Sequence, residues 1–189
     1  MKDEEYYKRI NNIYSLLVKA YMDKYILESI EHFKKEKQDK QEKNSFFYNN
    51  TVFTLIHICE LAKADLALEL WKMYYDNKAQ ANTIKQLKNY LNSEYKLRLK
   101  IVETQNIKDA RKLVVDARHG FIAHNFMDSE NVKVNIKDLL NALEDIRSTF
   151  NQMCLQEVDS RVQPLTDEMI YKLSYCAKTG LDLPLILMT

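Results

Sequence analysis

SFFYNNTVFTLIHICELAKADLALELWKMYY, from Ser45 to Tyr75, is the stretch whose reading decides the fold. Val52, Phe53, Leu55, Ile56, Ile58, Leu61, Ala62, Leu66, Leu70, Trp71 and Tyr74 recur at three- and four-residue spacing. They cover more than one side of a helix. A surface helix carries a single apolar stripe, whereas one that is apolar most of the way round belongs at the centre of a bundle. Asn44 and Ser45 each offer a side-chain oxygen that can cap its first turn. His57, within this run, reads as a core histidine satisfied by one hydrogen bond. Asp65 reads as a surface salt-bridge residue or, if buried, as a carboxylate in need of a partner.

Helical periodicity continues on both sides. Ile10, Ile13, Leu17, Ala20, Tyr21, Leu27 and Ile30 define a first helix from about Glu4 to Lys35, with Lys24 the one break in the stripe. Lys34 to Lys43 carries both charge signs and no apolar face, so it reads as a frayed end or solvated linker. After Asp76 and Asn77, a third helix is expected from a cap at Asn82 or Thr83 to about Thr104. Its Lys85, Lys88, Lys96, Arg98 and Lys100 make it the most basic segment, read as a solvated face. A fourth helix opens near Asn106, and a fifth is expected from Ile136 to Val158. Val132–Ile136 alternates but is too short to establish a strand. Pro164 interrupts, Thr166 opens a short last helix, and Gly180 is a natural stop before the apolar tail Leu181–Met188.

The expectation is therefore an all-α bundle of four to five long helices over residues 1–160. A C-terminal helical appendage and tail follow over 161–189. Two Gly and two Pro in 189 residues agree, since a β-rich fold with many tight turns needs more of both. No uncharged apolar run approaches a membrane span and no signal peptide is visible, which predicts a cytoplasmic chain without a membrane partner. The three cysteines, Cys59, Cys154 and Cys176, lack metal-ligand spacing and read as buried thiols. No metal or cofactor motif is present. The net charge of +1 excludes a uniformly basic nucleic-acid coat but not a local basic site.

The fourth helix leads into Asp116-Ala-Arg-His-Gly-Phe-Ile-Ala-His124, followed by Asn125. Arg118 keeps its charge at any pH a protein meets and can clamp a phosphate. His124 can exchange protons near neutrality. Six residues on an ideal helix correspond to about 9 Å of rise and about 120° of rotation, which is not one face. A bend at Gly120, or the long Arg stem, would bring the pair together. Phe121, Ile122 and Ala123 between them would anchor the segment in the core. On composition alone, a structural Arg and a capping or core His remain an alternative to a catalytic pair.

Arg118-His119-Gly-Phe-Ile-Ala-His124 resembles the signature of the HEPN superfamily of helical ribonucleases: an Arg, four to six residues, then a His, with a polar residue directly after the Arg. His119 fills that polar slot. The trailing Ile-Ala-His-Asn125 and the long helices before it look like the AbiU-type abortive-infection branch. The resemblance covers roughly residues 1–160. It implies a metal-independent endoribonuclease, with Arg118, His119 and His124 catalytic and Asn125, Arg111, Lys112 and Lys108 contacting substrate. In that chemistry the RNA 2′-hydroxyl attacks the adjacent phosphorus, leaving a 2′,3′-cyclic phosphate and a 5′-hydroxyl. The resemblance further implies RNA as partner, with tRNA one candidate, a homodimer with facing active sites, and a place for a cognate antitoxin. The class of function implied is phage defence or a toxin.

Overall fold

The computed structural model describes residues 2–39, 46–76, 78, 82–123 and 136–175, with side chains described except at 33–34, 36–39, 46–52 and 117–123. The chain is all-α, and no strand occurs among the described residues. Helix α1 spans Lys2–Asp39 and α2 spans Phe46–Leu70, continuing directly into a π-helical turn at Trp71–Tyr75. Then come α3 (Ile84–Glu94), α4 (Gln105–Ala123) and α5 (Ile136–Asn151). A further helical stretch occupies residues 167–175.

The expected stripe on α1 forms one wall of the core: Ile13, Leu17, Ala20 and Tyr21 are fully buried. Helix α2 packs against α1, α4 and α5 and so holds the central position its sequence implies. Leu66 and Leu70 belong to one continuous core with Leu139, Leu143 and Phe150 of α5 and Ala110 and Val114 of α4. One flank of α2 stays open, with Phe53 75 %, Ile56 45 % and Leu61 38 % exposed. His57 lies on that flank and is exposed, which corrects the expectation of a core histidine. Asp65 is exposed too, as a surface carboxylate would be.

Lys24, the break in the α1 stripe, has a structural reason. Its ammonium donates to Glu144 Oε1 at 2.9 Å, while the buried Tyr21 hydroxyl donates to Glu144 Oε2 at 2.7 Å. Arg147 joins the same carboxylate at 3.2 Å and reaches Asp167 at 2.6 Å. This network ties α1, α5 and the last helical stretch together with every charge opposed by another. A second tie is the fully buried Tyr6, whose hydroxyl donates to the Met153 carbonyl and accepts from the Leu155 amide, both at 2.7 Å.

Two helices stop short of their sequence-based ends, for one physical reason. The third was expected to reach Thr104 but ends at Glu94, and the fifth was expected to reach Val158 but ends at Asn151. In each case an Asn amide clamps one later residue. Asn92 accepts from the Leu99 amide at 2.9 Å and donates to the Leu99 carbonyl at 3.1 Å. Asn151 does the same to Leu165 at 2.9 and 3.1 Å. A side chain that satisfies backbone groups outside the helix competes with helix propagation. After α3 the chain also turns through Lys96 at φ 55°, the left-handed position that usually follows a helix end and favours glycine. Two of the predicted caps hold: Thr83 Oγ1 accepts from the Gln86 amide and Thr166 Oγ1 from the Met169 amide, both at 3.3 Å, while Asn44 and Ser45 lie outside the described residues.

Residues 161–175 pack on the bundle. Val162 and Leu165 are buried, and Arg161 lies 4.1 Å over the Tyr7 ring and pairs with Glu4 at 3.0 Å. The Tyr14 hydroxyl approaches Met169 Sδ at 3.7 Å. The Val132–Asn135 segment, Gly180 and the apolar tail lie outside the described residues. No described helix is long and apolar enough to cross a membrane.

Candidate nucleic-acid interface

Helix α4 carries the basic residues singled out above, and its sequence explains how it presents them. Thr104 caps it, accepting from the Ile107 amide at 3.3 Å while its hydroxyl donates to Asp145 of α5 at 2.6 Å. Ile107, Ala110 and Val114, at three- and four-residue spacing, are fully buried and key the helix into the core. Lys108, Arg111 and Lys112 are exposed beside this stripe, Arg111 at its margin.

The helix runs unbroken through Gly120 to Ala123. Gly120 does not end the helix: the flanking residues are good enough helix formers to carry one glycine, whose cost is about 1 kcal/mol. Positions seven apart on a helix lie within about 20° of each other, about 10.5 Å along the axis. Position 118 is therefore in register with 111, and position 119 with 112. The side chains of Arg118 and His119, and His124 and Asn125 altogether, lie outside the described residues, as does the anchoring expected of Phe121, Ile122 and Ala123.

Arg111 is not a free cation. Its guanidinium is bonded to the Glu103 carboxylate and lies 5.8 Å from the Tyr75 ring centroid. Lys85 of α3 approaches the same Glu103 oxygen at 3.7 Å and sits 4.5 Å over the Tyr74 ring. Beneath both cations, Tyr74 and Tyr75 meet edge to face at 5.3 Å. The π turn is what buries this tandem pair: the Asp76 amide bonds to the Trp71 carbonyl at 2.9 Å, a wider loop than an α-turn, and leaves both rings buried. Tyr75 spends its hydroxyl on the Ile107 carbonyl of α4. The Tyr74 hydroxyl is buried with no hydrogen-bond partner among the described residues. Burial first, and then the Glu103 carboxylate, push its pKa up to about 12.

Glu103 was not singled out by sequence reading, and the Tyr74–Tyr75 pair reads there as base-stacking or interface and rim residues, whereas both rings are buried. Lys85 looked like one lysine of a solvated face, and Glu103 looked like a residue inside a long third helix. The tandem Tyr at a helix end was the one local signal. Glu103 had none, because its position depends on α3 ending at Glu94 and the chain folding back.

Elsewhere, Cys59 is buried, and burial pushes the Cys154 thiol up to about 12, so it stays protonated at neutral pH. Cys176 lies outside the described residues. Among the described residues no His, Cys, Asp and Glu group is arranged to hold a metal ion. No protein-family model, no curated protein and no solved structure matches this chain.

Proposed function

We propose that the chain is a metal-independent endoribonuclease of the HEPN type, working as a homodimer in phage defence or as a toxin. The observation that carries this reading is Arg118-His119-Gly-Phe-Ile-Ala-His124 at the C-terminal end of a core-keyed helix in an all-α bundle. The register of α4 supports it, since positions 111 and 118 share one face and 112 and 119 another beside it. Phosphate-binding cations thus line up with the motif along the helix.

In the proposed reaction, His124 takes the proton of the RNA 2′-hydroxyl or delivers one to the departing 5′-oxygen. The 2′-oxygen bonds to phosphorus as the phosphorus–5′-oxygen bond breaks, and Arg118 offsets charge on the phosphoryl oxygens. His119 binds the phosphate, shares in proton transfer or fixes the geometry of the pair, and Asn125 contacts the substrate. A cognate antitoxin would be the natural partner for such an activity.

The open flank of α2, with Phe53, Ile56 and Leu61 exposed, supports dimerisation and equally favours a second reading: a non-catalytic helical module that binds a protein partner. One assay separates the two. Purified chain is incubated with total RNA or tRNA in EDTA, beside His124→Ala. Cleavage by the unaltered chain and its loss in the variant are expected. No cleavage, or equal cleavage by both, sinks the nuclease reading.

A further inference from the structure

We infer that Lys85, Arg111 and the Tyr74 hydroxyl form an anion receptor that Glu103 occupies from within, and that a phosphate of an RNA backbone takes the carboxylate's place on binding. The proposal rests on the nucleic-acid reading above for its ligand, though not for its geometry.

Three observations converge on one spot. Two cations from different helices, Lys85 of α3 and Arg111 of α4, meet on a single oxygen of Glu103. Both lie over buried tyrosine rings, which hold them in place after the carboxylate leaves. The ring beneath Lys85 carries a hydroxyl that is buried without a partner among the described residues and that feels the charges of both Glu103 and Arg111. A buried hydroxyl left unpaired is costly, and it is a donor that the planar carboxylate does not serve. A tetrahedral phosphate has oxygens enough for all three donors.

Glu103 is also the group best placed to move. It stands in the non-helical stretch 95–104, between the Leu99 clamp and the Thr104 cap, and its side chain is 30 % exposed. Swinging it out breaks two partly solvated ion pairs, a small cost. Lys108 and Lys112 flank Arg111 on the exposed side of α4 and continue the cationic track.

The test uses the full chain and a short fluorescein-labelled 2′-O-methyl RNA, which lacks the attacking hydroxyl and cannot be cleaved by this chemistry. Glu103→Gln is expected to bind about fivefold more tightly at 0.1 M salt, the scale of one exposed ion pair. Adding Arg111→Ala should abolish the gain. Unchanged or weaker binding by a folded Glu103→Gln chain, or a gain that survives Arg111→Ala, overturns the receptor.

A second measurement needs no variant. Phenylglyoxal modification of Arg111, read by mass spectrometry, should slow when RNA is present, and an unchanged rate also overturns the proposal. Equal protection by inorganic phosphate at the same phosphorus concentration assigns the receptor to free phosphate and overturns the RNA assignment. Because the probe is uncleavable, a tighter Glu103→Gln complex together with no RNA cleavage by the unaltered chain sinks the nuclease and keeps the receptor. The opposite pair of results does the reverse.

Discussion

Asp23 on α1 is half-buried and faces the carboxylates of Asp65 and Glu69 on α2. Burial, then the Asp65 charge, then that of Glu69, raise its pKa to about 7, with Lys19 opposing. A carboxyl with a raised folded pKa binds more protons in the folded state than in the unfolded one. Its contribution to stability is therefore fully present below its unfolded value, near 4, and is lost as pH rises through about 7. Raising the carboxyl from its usual value near 4 to about 7 corresponds to at most about 4 kcal/mol. Partial exposure lets water screen the charge, so about 1–2 kcal/mol is the reasonable share. Asp23→Asn keeps the shape and removes the charge. It should stabilise the fold by about 1–2 kcal/mol at pH 8, and the gain should fade to nothing near pH 4. Urea titrations followed through Trp71, the single tryptophan, at several pH values would read this as a shift in midpoint with unchanged slope. In melting temperature the gain at pH 8 is about 2–8 °C for a chain of this size. A variant that is less stable at pH 8, or one whose difference from the parent does not change with pH, would refute the reasoning.

Further outcomes follow from the clamps and turns. Tyr6→Phe removes a hydroxyl that serves two backbone groups and should cost about 1–3 kcal/mol, seen as a lower melting temperature with near-native circular dichroism. Lys96→Gly relieves a left-handed residue and should stabilise by up to about 1 kcal/mol in urea unfolding; destabilisation would mean that the Lys96 side chain matters more than its backbone.

The helices themselves were legible because burial follows a short period. The stripe of α1, the nearly all-round apolar character of α2 and the caps at Thr83 and Thr166 are local facts about neighbours three or four residues apart. The ends of α3 and α5 were not legible. Asn92 and Asn151 end them by bonding Leu99 and Leu165, and nothing in the local pattern distinguishes such an Asn from an exposed one on a helix surface. Gly120 is the opposite case: a glycine can end a helix, yet α4 continues past it to Ala123. His57 misled because apolar neighbours in sequence suggested a core site, whereas its flank of α2 has no covering helix among the described residues.

The candidate site divides along the same line. The Arg118–His124 motif and the basic residues of α4 are visible in sequence, since a motif is a local pattern and a helix fixes which positions align. Which of those cations is free is decided elsewhere. Arg111 is engaged because α3 stops at Glu94 and the returning chain places Glu103 against it, over two tyrosines turned inward by a π turn. By itself the sequence determined an all-helical chain with a charged, histidine-bearing helix end. Only the tertiary structure decided that one of its arginines already holds a carboxylate, because that depends on contacts between segments with no periodic relation to one another.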